Sequence, residues 1–153
     1  MSNLNDQMRG AVAALQAGDF TRARQIAEQA ARLQPGNPKV LQVLGLAQIQ
    51  GGAPAIGYRT LERALVLSPR DATLRLNVAK AALQLGLHER VEALAAPLGD
   101  EPAGLHLRAL ARKEAGDLDE AIALFRRAMT KLPGDPKLLS NFGSALISAG
   151  RFD

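Results

Sequence analysis

Two histidines and two acidic runs are the residues of this chain whose types could do chemistry. A histidine beside a carboxylate can act as a general base, and a cluster of such groups can hold a metal. His88 falls in a turn and His106 in a helical stretch, each without a second histidine or an obvious carboxylate at ligand spacing, so both read as surface or packing residues. The runs "GDEP" (99–102) and "DLDE" (117–120) gather carboxylates, but both stand at helix starts, where acids offset the helix dipole. Paired carboxylates doing acid or base work need a shielded cleft, which turns do not offer. The chain has no Walker loop, no HExxH and no glycine-rich strand-to-helix turn. It has no cysteine, which removes disulfides, thiolate metal sites and cysteine nucleophiles. The expectation is a chain that is not an enzyme, with no catalytic residue, metal or cofactor.

The elements that position these residues follow from composition and spacing. Hydrophobic residues make up 47% of the 153, yet only 3% are aromatic, so the apolar content is mostly leucine and alanine, the composition of packed helices. Glycines recur at Gly18, Gly52, Gly86, Gly116 and Gly150, stepping by 34, 34, 30 and 34 residues, and Pro35, Pro69 and Pro133 keep the same step. Between glycine and proline lie helical patterns such as "AGDFTRARQIAEQAARLQPGNP" and "AGDLDEAIALFRRAMTKLPGDP". A glycine just past a helix end caps it with positive φ, and Asp19 and Asp117 can satisfy free N–H groups at the start of the next. Each unit is then helix, turn, helix, turn, giving about nine helices and no strand.

At this spacing the chain resembles the tetratricopeptide repeat (TPR) family, in its bacterial type. Counted in units of 34 positions, the repeats run 4–37, 38–71, a short 72–101, 102–135 and a partial 136–153, all in one domain spanning 1–153. Small residues stand at position 8 (Ala11, Gly45, Ala79, Ala109, Gly143), at position 20 (Ala23, Gly57, Ala121, with Val91 in the short unit) and at position 27 (Ala30, Ala64, Ala128). Such residues let paired helices approach closely. The short unit meets Pro97 early, so its second helix should lose about one turn. Arg108 takes a position where the family usually has leucine; laying its stem on apolar surface with its head in water would accommodate it.

The resemblance implies an all-α fold, a right-handed superhelix of about four and a half repeats, whose first helices line a concave groove. Position by position, that groove would take Met8, Arg9, Val12, Gln42, Val43, Leu46, Ile49, Leu76, Asn77, Lys80, Leu83, His106, Leu107, Leu110, Lys113, Asn141 and Ser144. Its apolar character points to a non-catalytic scaffold that binds a peptide or helix of a partner protein. The carboxylate clamp of some family members is incomplete: Asn77 is present, but Gln42 and Leu46 precede it and Ala103 and Leu107 follow. Two other readings are an accessory N-terminal array of a larger enzyme, such as a bacterial sulfotransferase, and a self-associating structural module.

The formal charge of +4 comes from basic residues interspersed with acids and nearly free of aromatics, so nucleic acid is not an expected partner. No run reaches the length of a membrane span and no signal peptide is evident, which gives a cytoplasmic expectation without a membrane partner. Asp153 falls at position 18 of the last unit, where a second helix should begin. We therefore expect a piece of a longer protein whose last helix carries an apolar strip of Leu139, Phe142 and Leu146, covered by a second copy in a homodimer.

Overall fold

The computed structural model describes residues 3–151; the expectation attached to Asp153 lies outside the described residues. Among them are nine α-helices and no strand: α1 (Leu4–Gln16), α2 (Phe20–Leu33), α3 (Pro38–Gln50), α4 (Pro54–Leu67), α5 (Ala72–Gln84), α6 (His88–Ala95), α7 (Pro102–Glu114), α8 (Leu118–Lys131) and α9 (Pro136–Ser148), with a 3-10 turn over Ala96–Leu98. The chain divides into two compact units, 1–81 and 82–153.

Local chemistry starts and stops these helices as expected. Asp19 accepts from the Arg22 N–H at the start of α2, and Asp117 accepts from the Glu120 N–H at the start of α8. Asn37, Glu101 and Asp135 serve α3, α7 and α9 in the same way, each followed by a proline at the first helical position, where its missing N–H costs nothing. The five periodic glycines all have positive φ, from 70° at Gly150 to 96° at Gly52, which is why glycine recurs there.

In the first unit α3 packs on α4 and α2, and α1 on α2 and α3. Ala14, Ala23 and Ala47 form a fully apolar contact with Leu15 beside it. Gly45 and Gly57 mark the crossing of α3 and α4. A Cβ added at Gly57 would lie 2.5 Å from the Gly45 carbonyl oxygen and 2.5 Å from Ile49 Cγ1, so the two backbones touch where a side chain would stand. In the second unit α7, α8 and α9 enclose Leu105, Ile122, Leu124, Phe125 and Leu138, with Leu110, Phe142 and Leu146 packed against that core.

The early proline acts as expected. Helix α6 has eight residues against fourteen in α2, α4 and α8, and three of the missing residues return as the 3-10 turn that contains Pro97. The reading of Arg108 needs correction. Its side chain is only 15% exposed, and its guanidinium pairs with Glu92 of α6 at 2.8 Å instead of reaching into water. Gly143 stands apart from Gly45 and Gly57: beyond its own helix backbone no atom lies within 4 Å of where its Cβ would be, so it marks no close crossing.

Candidate functional site

The helices that open each repeat, α1, α3, α5, α7 and α9, carry the residues expected to meet a partner. In the first unit, one face of α1 presents Asn5, Met8, Arg9, Val12, Ala13 and Gln16, which recur at the spacing of helical turns. Together with Lys39 and Val43 of α3 they line a cavity of about 520 Å³. Met8 and Val43 are half-buried at its floor, and Val12 is 39% exposed, high for an aliphatic side chain. Farther along α3, Gln42, Leu46 and Ile49 are half-buried, as are Leu76 and Asn77 on α5, whereas Lys80 is exposed. The structure thus gathers Met8, Val12 and Val43 around one cavity, and that cavity does not include the α5 residues.

In the second unit the expected residues pair with one another. The Asn141 amide contacts His106 Nε2 at 2.9 Å, and the Lys113 ammonium donates to Ser144 Oγ at 2.7 Å, two polar bridges from α7 to α9. The His106 ring lies 6.0 Å from the Phe125 ring, tilted by 58°. Burial holds its imidazole below the ordinary value, against an opposing pull from Asp135 and with a smaller contribution from Lys137. A neutral ring can accept the Asn141 N–H, so the bridge suits that state. Leu107, expected in the groove, is only 6% exposed: it is a packing residue and offers a partner no surface.

Helix α9 places its apolar strip mostly inward. Phe142 and Leu146 pack on the α7–α8 core, and the Arg126 guanidinium covers the Phe142 ring at 5.8 Å. Leu139 and Ile147 remain open, at 49% and 66% exposure. They form the outer row of α9 together with Gly143, at spacings of four residues.

Sequence spacing missed four cavity residues, Asn5, Ala13, Gln16 and Lys39. Their regular offsets from Met8 and Val43 would have revealed them. It also missed that His88 has a carboxylate partner: His88 Nε2 lies 3.0 Å from Glu114, a residue 26 positions away at the end of α7. The acidic runs do stand at helix starts. Asp100 forms a hydrogen bond with Arg127, which holds its carboxyl below the usual range. Among the described residues no helix is long and apolar enough to cross a membrane.

Two tetratricopeptide repeat family models match the chain, over residues 8–55 and 112–153, together more than half its length. No curated protein matches it by sequence. Among solved structures it is similar to MamA (residues 41 to the end) from Desulfovibrio magneticus RS-1, with 18% identity and a TM-score of 0.83 over 99% of this chain and 88% of that one. It is also similar to TTC0263, a thermophilic TPR protein in Thermus thermophilus, with 23% identity and a TM-score of 0.78 over 95% of this chain and 82% of that one. At these identities the likeness speaks for the fold alone.

Proposed function

The chain belongs to the tetratricopeptide repeat family, and from that premise we propose that it is a non-catalytic scaffold which binds a segment of a partner protein on the face of its repeat-opening helices. The observation that carries this reading is the open cavity between α1 and α3, where Val12 stands exposed above Met8 and Val43. An apolar concavity rimmed by polar groups suits an amphipathic helix or an extended segment, which places one or two side chains in it and lets its remaining surface stay wet.

Selection of a random displayed peptide library on the immobilised chain tests the proposal. Peptides should be enriched on the native chain and fail to be enriched on Val12→Glu with Leu46→Glu, while the circular dichroism of that variant matches the native spectrum. Peptides retained equally by both chains would place binding elsewhere. Leu110 is unsuitable for such a test because it packs against the core of the second unit, and charging it would damage the fold.

A second reading, association of two copies through α9, is favoured by the exposed row of Leu139 and Ile147. Leu139→Asp should then shift light scattering toward monomer. Phe142→Asp is a poor probe because that ring contributes to the core. Native chain that is monomeric at high concentration would dismiss this reading.

A further inference from the structure

The cavity between α1 and α3 has a chemistry more specific than apolarity, and this inference rests on the proposal that the repeat-opening helices form the binding face. Its apolar lining is Met8, Val12, Ala13 and Val43, and two exposed cations stand on its rim, Arg9 and Lys39. The Arg9 side chain is 79% exposed; it pairs with Asp6, an interaction that leaves most of its five N–H donors in water. Lys39 is exposed and has no acidic partner among the described residues.

The surrounding unit is also basic. Residues 1–81 carry ten lysines and arginines against five aspartates and glutamates, whereas residues 82–153 carry nine against ten. The excess positive charge therefore lies on the unit that holds the cavity, where it raises the local concentration of an anionic partner. No aromatic side chain lines the cavity to stack a base, and an apolar floor gives nothing to a phosphate backbone.

We propose that this cavity recognises an acidic, apolar peptide segment: a leucine-sized or larger side chain enters between α1 and α3, and carboxylates flanking it along the segment pair with Arg9 and Lys39. The apolar contact anchors the segment, and the two exposed ion pairs select its charge and speed its approach. Asp6 competes with the incoming carboxylate for Arg9, so the native chain holds its own weak antagonist in the first turn of α1.

Fluorescence anisotropy with three labelled synthetic peptides on the full chain tests this: leucines alternating with glutamates, leucines alternating with lysines, and serines alternating with glutamates. The leucine–glutamate peptide should bind the native chain about three- to tenfold more tightly than either of the others, with the margin over the lysine peptide shrinking at high salt. Arg9→Ser with Lys39→Ser should erase that margin, Val12→Glu should abolish binding, and Asp6→Asn should tighten it. Equal binding of the lysine and glutamate peptides, both lost in Val12→Glu, would overturn the acidic preference and leave the binding face standing. A margin that persists in Arg9→Ser with Lys39→Ser would overturn the assignment to these two residues. Displacement of the leucine–glutamate peptide by single-stranded DNA from the native chain alone would give the rim to nucleic acid and overturn the proposal. Failure of all three peptides to bind would overturn it too; if library peptides sensitive to Val12→Glu with Leu46→Glu are still enriched, the face remains, and if none is, the face falls as well.

Discussion

Gly45 and Gly57 show how one missing Cβ sets the distance between two helices. Because the nearest obstacles to a Cβ at Gly57 include the Gly45 carbonyl and the Ile49 backbone nitrogen, no side-chain adjustment can make room. Gly57→Ala should lower the melting temperature, and Gly57→Leu should cost on the order of 1–3 kcal/mol or more through overpacking. Gly143 is the control. It lies in the middle of α9 with open space at its Cβ position, so Gly143→Ala should stabilise by about 0.5–1 kcal/mol through helix propensity. An unchanged melting temperature in Gly57→Leu would refute the close crossing. His106 makes a second prediction. Its folded value lies below the unfolded 6.5, so the unfolded chain takes up the proton first on acidification. The contribution of neutral His106 is therefore complete above about pH 6.5 and is lost as pH falls through the folded value. Melting temperatures measured across that range should fall less steeply in His106→Gln than in the native chain, and identical slopes would contradict the assignment.

The helices that open the repeats all begin with a side-chain cap, and the exceptions among the second helices are informative. Leu87 precedes α6 with φ −86° and ψ 67°, close to Asp19 (−86°, 73°) and Asp117 (−85°, 74°), yet it provides no side-chain acceptor. Since the backbone already has the capping geometry and Leu87 is 41% exposed, Leu87→Asp should stabilise by about 0.5–1 kcal/mol in chemical denaturation. A loss of stability would mean that the leucine packs more than its exposure implies. The short α6 is joined to α7 by the pair of Glu92 with Arg108, supplemented by Arg112 at 3.9 Å from the same carboxylate. Both side chains of the closer pair are mostly shielded, at 15% and 27% exposure, so Arg108→Ala should cost on the order of 1–2 kcal/mol, between the values for surface and buried pairs. A double-mutant cycle with Glu92→Ala measures the coupling, and a value near zero would return Arg108 to the role of an arginine whose head reaches water.

At the scale of the whole molecule, what could be read from sequence was whatever depends on local chemistry. The glycine step, the aspartate caps and Pro97 act within a few residues, so helix number, helix ends and the shortened α6 were all legible. Pairings across the fold were not. Glu92 and Arg108 are 16 positions apart, and His88 and Glu114 are 26, so no helical spacing announces them. Position within the repeat also failed to separate packing from exposure: Leu107 and Val12 carry the same expectation, but one is buried and the other stands open. Lys39 lies four residues before Val43 on α3, so helical spacing alone places it on the same face.

The central claim, that the repeat-opening helices bind the partner, is tested most directly by hydrogen exchange of the full chain with and without a saturating selected peptide. Binding should slow exchange in 4–16 and 38–50, the spans of α1 and α3, and leave α2 and α4 at their free rates. Protection confined to α2, α4 or α8, with α1 and α3 exchanging as in the free chain, would contradict it.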